Sequence, residues 1–135
     1  MTSILVASHG HMASGIQSSI DILTGRGDEI KTIDAYVDQH DYIPEIKEFI
    51  AKSSKPCVIF TDLEGGSVNQ KVVIEAAERE NVFIVTQANL AVVLSVLLDG
   101  EKLTSEHLDE LIKESQVKRV QIQESDDESD DDFFS

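Results

Sequence analysis

Ile4-Leu5-Val6-Ala7-Ser8-His9-Gly10-His11 is the stretch whose reading decides the fold. An apolar run close to the N-terminus stops at a histidine set between serine and glycine, and a helical pattern follows. That combination predicts a buried parallel strand feeding a turn into a helix. His9 then stands at the strand's carboxyl end. In an open α/β sheet this is the edge where loops and helix N-termini converge and ligands bind.

Outward from that strand, the chain alternates. Ala13, Ile16, Ile20 and Leu23 recur at helical spacing until Gly25 and Gly27 end the helix. A second strand is expected over 30–37, with Asp34 and Asp38 near its end. Ile43, Ile46, Phe49 and Ile50 share one face of a second helix, with Asp41 as its N-cap and Pro44 accommodated in its first turn. Pro56 opens a third, buried strand over 57–61. The loop Asp62-Leu63-Glu64-Gly65-Gly66-Ser67 follows it directly, then a helix over 68–80. A fourth strand spans 82–86, and the segment 90–98 is apolar enough to be a buried helix. Thr104 or Ser105 caps a last helix through Leu108, Leu111 and Ile112, and 117–122 reads as a final strand.

This alternation predicts an α/β fold with a doubly wound, mainly parallel four-stranded sheet and helices on both faces. Right-handed crossovers place the second strand on one side of the first, and the third and fourth on the other. The first and third strands become neighbours. Their carboxyl ends carry His9 and Asp62, so two side chains distant in sequence arrive at one crevice.

Composition limits the partners. The 135 residues suit one domain, 1–123, followed by an acidic segment, 124–135, that cannot bury enough to fold. The net charge is −15; seven acids and no bases fall after residue 123, leaving −8 for the rest. Phosphate backbones are bound through clustered Lys and Arg, so nucleic acid is not an expected partner. The single cysteine, Cys57, excludes an intramolecular disulfide and reads as a core residue. No segment has the length of a membrane span or the pattern of a signal peptide, and the expected location is the cytoplasm. His40 and His107 lack the spacing of a metal site, so no metal and no cofactor is expected.

The pair His9 and Asp62 has a definite chemistry. A neutral imidazole is nucleophilic through one ring nitrogen only when the other holds the proton, and a carboxylate that accepts that N–H fixes both tautomer and orientation. Gly10, Gly65, Gly66 and Ser67 supply amide and hydroxyl donors around the ring, and neither loop contains lysine or arginine. Such a cradle suits a phosphoryl group that must leave again. From residue types alone, a histidine merely satisfied by a neighbouring carboxylate stands beside that reading. His11 reads as a solvent-facing turn residue and Glu64 as surface charge. A receiver domain with Asp62 as phosphoacceptor, or a flavodoxin-type binding module, are further alternatives. The receiver would require acidic residues after the first strand to hold magnesium, where Ser8-His9-Gly10 stands instead.

Ser8-His9-Gly10 closing the first strand, with Ala13 and Gly15 opening the helix, resembles the IIA component of the mannose/fructose/sorbose-type sugar phosphotransferase system (PTS). Thr61-Asp62-Leu63-Glu64-Gly65-Gly66-Ser67-Val68-Asn69 is similar to that family's second motif, with Val68 where some members carry proline. The resemblance spans about the first 122 residues. It implies that His9 takes a phosphoryl group from the histidine-containing phosphocarrier protein and passes it to the IIB component, making the chain a phosphotransferase with a phosphohistidine intermediate. It implies that Asp62 holds the ring's other nitrogen and that Ser67 lies near the phosphoryl group. Sugar selectivity then belongs to the IIC and IID membrane components, reached only indirectly. It also implies a homodimer exchanging the strand at 117–122. The phosphoryl-donor subunit of a phosphoenolpyruvate-dependent dihydroxyacetone kinase is the nearest alternative.

Overall fold

The computed structural model of the chain describes residues 2–122; the acidic segment 124–135 lies outside the described residues. Four strands, β1 (Ser3–His9), β2 (Ile30–Ala35), β3 (Cys57–Thr61) and β4 (Val82–Val85), alternate with five helices: α1 (Met12–Thr24), α2 (Ile43–Lys52), α3 (Ser67–Ala76), α4 (Leu90–Leu98) and α5 (Ser105–Glu114). All pairings are parallel and the strand order is β2-β1-β3-β4. This is the doubly wound order expected from right-handed crossovers.

Strand alternation divides the core between the two faces. Ile4, Val6, Val58 and Phe60 turn toward α1, α4 and α5, where Ile16, Ile20, Val93 and Leu108 meet them. Leu5, Ala7, Cys57 and Ile59 turn the other way, against Ile46 and Phe49 of α2 and Val68 and Val72 of α3. Every residue of β3 is buried. Cys57 lies wholly inside, and burial pushes its thiol pKa up, as a core cysteine requires.

Several boundaries differ from the sequence expectation, each for a local reason. β2 stops at Ala35 because Tyr36 takes a left-handed backbone, φ 67°. α3 ends at Ala76 rather than residue 80, and left-handed Glu78 and Asn81 carry the chain out of it. Tyr42, not Asp41, occupies the N-cap position of α2, although Asp41 Oδ1 still accepts the Ile43 amide. The helical stripe of α1 buries Ala13, Ile16 and Ile20 but leaves Leu23 exposed in the turn before Gly25. α4 is not buried all round: Leu98 at its end is half-exposed. Thr104 is the cap of α5, accepting the His107 amide.

The segment 117–122 pairs with no strand of its own sheet, and Val117, Val120 and Ile122 are exposed. An intramolecular edge strand is therefore not what this segment forms.

Candidate functional site

The β1–β3 register sets Ala7 opposite Thr61. Asp62, one residue on, therefore reaches the level where β1 ends. Its Oδ2 accepts two hydrogen bonds from His9, one from the backbone amide at 2.8 Å and one from ring Nδ1 at 2.7 Å, while Oδ1 accepts the Leu63 amide at 3.0 Å. The Asp62 side chain is 10% exposed and that of His9 41%. Burial alone would raise the Asp62 pKa, but the His9 amide, the ring and its charge, and the local backbone donor outweigh it, so the carboxyl lies below its ordinary value. A carboxylate whose oxygens are already engaged is poorly placed to be a receiver-type phosphoacceptor.

Pairing with a carboxylate does not by itself distinguish His9, because all four histidines have such a partner. His11 Nδ1 lies 3.0 Å from Asp34, His40 contacts Glu45, and His107 Nε2 lies 2.8 Å from Asp99 and 3.2 Å from Glu101. What sets His9 apart is the surroundings of its other nitrogen. Nε2 faces outward, 3.3 Å from Ser67 Oγ. Gly66 lies against the ring: a Cβ there would stand in van der Waals contact with His9 Cε1 at 3.5 Å and tightly against the Leu63 carbonyl at 3.3 Å.

The expected amide donors divide into two groups. Gly10 donates its N–H to the Ala35 carbonyl, and Gly66 donates its own to Leu63. At these two positions glycine supplies backbone shape, including φ 62° at Gly10, in place of a free donor. The N-terminus of α1 is likewise engaged: Ser8 Oγ accepts the Ala13 amide and Asp34 accepts the Ser14 amide and hydroxyl. α3 is different. It has no side-chain cap, and its first-turn amides, which lack intrahelical partners, open beside Ser67 and the left-handed Gly65. Anion-binding capacity at this edge therefore lies on the α3 side of His9. Ser67 does not cap that helix; its hydroxyl is turned to His9 and to Tyr36.

Three residues at the site escaped sequence reasoning. The Tyr36 ring lies against the His9 ring with centroids 5.3 Å apart and a 31° tilt, and its hydroxyl is 2.8 Å from Ser67 Oγ and 3.1 Å from that of buried Tyr42. Lys71 Nζ donates to the Tyr36 hydroxyl at 3.4 Å and lies 4.8 Å from the Tyr42 ring centroid. Neither loop contains a cation, but α3 brings one to the site's edge. The left-handed backbone at Tyr36 costs an aromatic residue roughly 1–3 kcal/mol and persists only where the surroundings hold it. The hydrogen-bonded contacts with Ser67 and Tyr42, and Lys71 beside it, lower the Tyr36 pKa against burial; burial and the Tyr36 contact push that of Tyr42 up. One signal was present: Lys71 follows Ser67 by four residues on one helix face.

His107 also differs from expectation. Asp99, Glu101 and His107 bring ligand-type atoms within 4.8 Å of one another. Asp99 and Glu101 line a groove with Thr2 and Pro56, at the amino edge of the sheet, away from His9. The separations are those of hydrogen bonds, and the Asp99 bond raises the His107 pKa against burial. Glu64 is exposed, as expected.

A family model described as the PTS system fructose IIA component, EIIA-man, matches residues 3–124. No curated protein matches. Among solved structures, the mannose/sorbose-specific IIA subunit of the phosphotransferase system from Enterococcus faecalis superposes with a TM-score of 0.78 at 17% identity, covering 93% of this chain and 98% of that one. The PTS IIA protein associated with the fucose utilization operon from Streptococcus pneumoniae gives 0.71 at 24%, covering 85% and 91%. Phosphotransferase system component EIIA from Streptococcus agalactiae gives 0.67 at 20%, covering 85% and 92%. These likenesses are of fold.

Proposed function

Because the chain belongs to the EIIA-man family and is a phosphotransfer component of a sugar phosphotransferase system, we propose that His9 is its phosphoryl acceptor. On this reading the phosphocarrier protein presents a phosphohistidine. The Nε2 lone pair of neutral His9 attacks the phosphorus, the donor's P–N bond breaks, and the donor imidazole leaves with the electron pair. The proton stays on His9 Nδ1, donated to the Asp62 carboxylate, whose charge balances the ring's positive charge while Nε2 carries the phosphoryl group. Transfer to the IIB component repeats the displacement with His9 as leaving group. Gly65 and Ser67, with the first turn of α3, receive the phosphoryl oxygens, and Gly10 and Gly66 shape the space.

One observation carries this reading. The Asp62 carboxylate holds Nδ1 while Nε2 is exposed beside a glycine-serine helix start. The surroundings support a protein partner: Leu63, Tyr36 and Val37, on loops at this edge, and Met12, at the start of α1, are exposed apolar side chains. No helix of the described residues is long and apolar enough to cross a membrane, consistent with an indirect link to the IIC and IID components. Incubation with phosphoenolpyruvate, enzyme I and the phosphocarrier should add one acid-labile phosphate per chain, lost on His9→Ala. Labelling that survives in that variant refutes the assignment.

A further inference from the structure

The contacts around Ser67 have a direction. In the neutral imidazole, His9 donates its Nδ1–H to Asp62, which leaves Nε2 as an acceptor, and the Ser67 hydroxyl, 3.3 Å away, donates to it. A hydroxyl has a single proton, so Ser67 Oγ must accept from Tyr36 at 2.8 Å. Tyr36, having donated, accepts in turn from the Tyr42 hydroxyl at 3.1 Å and from Lys71 Nζ at 3.4 Å. An ammonium group only donates, which closes the series at one end as Asp62 closes it at the other. Tyr42 is 4% exposed and anchored in the core beneath α2 and α3, and the left-handed turn at Tyr36 carries its ring back over His9.

We propose that Tyr36 is a positioning residue for phosphoryl transfer: backed by Lys71 and Tyr42, its hydroxyl aims the single Ser67 proton at Nε2 in the resting protein and at a phosphoryl oxygen after transfer. This rests on the reading of His9 as acceptor. It assigns Lys71 a remote role. The cation orients a hydroxyl through a phenol and leaves the phosphoryl group without a direct clamp, which keeps the group able to leave.

Tyr36→Phe retains the ring against His9 and removes only the hydroxyl. The rate of His9 phosphorylation at saturating phosphocarrier should fall about 5- to 10-fold, the effect of one lost hydrogen bond, with KM unchanged. Combined with Ser67→Ala, it should add nothing further, because the effect passes through Ser67. In the unphosphorylated protein the 15N resonance of His9 Nε2 should move in Tyr36→Phe, and move less but in the same direction in Lys71→Met. A wild-type rate with an unmoved resonance overturns the proposal; so does a loss that multiplies with Ser67→Ala, or a rise in KM alone, which would make Tyr36 a docking residue. Failure of His9 to accept phosphate in the wild-type chain would instead defeat the acceptor reading. The nitrogen resonance still decides whether Tyr36 governs Ser67.

Discussion

Asp62 shows how much one side chain organises at this edge. Its Oδ2 receives both the backbone amide and the ring N–H of His9, so the carboxylate fixes the end of β1 and the tautomer of the imidazole together. The two bonds are charge-assisted, and a hydrogen bond to a charged group contributes about 1.5–3 kcal/mol. Asp62→Ala should therefore slow His9 phosphorylation about 10- to 150-fold without abolishing it, because the nucleophilic nitrogen remains; rates equal to the wild type would remove Asp62 from the mechanism. The lowered Asp62 pKa sets the sign of the pH response. The stabilisation it supplies is complete above the ordinary carboxylate range and is lost as pH falls through the depressed folded value. Which residues matter here was only partly legible in the sequence. His9, Asp62 and Ser67 announce themselves by following strands and glycines. Tyr36 reads as one more strand residue, because a period of two says nothing about a single left-handed φ.

At the scale of elements, the strand order is what assembles the site. With β1 and β3 adjacent, residues 53 positions apart come within a hydrogen bond. The two helices that start at this edge then behave differently: Ser8 and Asp34 occupy the first turn of α1, whereas α3 opens without a side-chain cap. Both starts follow a glycine loop in the sequence, and only the packing decides which one keeps its amides. The carboxyl-terminal segment raises a related question. β4 pairs with β3 alone, so it offers an edge, and 117–122 carries exposed Val117, Val120 and Ile122 with no partner strand in its own subunit. An unpaired edge beside an apolar strand-forming segment invites exchange between two copies. We expect the full chain to sediment as a dimer and a chain ending at Gln116 to sediment as a monomer. A truncated chain that remains dimeric, or a monomeric full chain, counts against strand exchange.

At the scale of the molecule, charge and exposure describe a surface meant for another protein. The chain carries −15 overall, yet the loops flanking His9 present apolar side chains, and Lys71 of α3 is engaged with Tyr36 and Tyr42. On the proposed reading, a 41% exposed imidazole in such a rim is open to a donor protein. The acidic segment 124–135 contributes nearly half of the net charge. Screening over about 8 Å at physiological salt confines its effect to what it touches. Deleting it should leave the phosphoryl-transfer rate at 0.15 M salt unchanged, measured with the same phosphocarrier assay. A large loss would make it a docking segment.

The sequence by itself determined the alternation of strands and helices, the parallel order and the edge at which His9 and Asp62 meet. Those follow from hydrophobic period, glycine breaks and the handedness of crossovers, all of them local or topological. The tertiary structure alone decided that Tyr36 turns over the ring, that Lys71 and Tyr42 stand behind it, and that Gly10 and Gly66 spend their amides on backbone carbonyls. Each of these depends on the direction of a side chain or an N–H across a contact between distant segments, and periodicity carries no such direction.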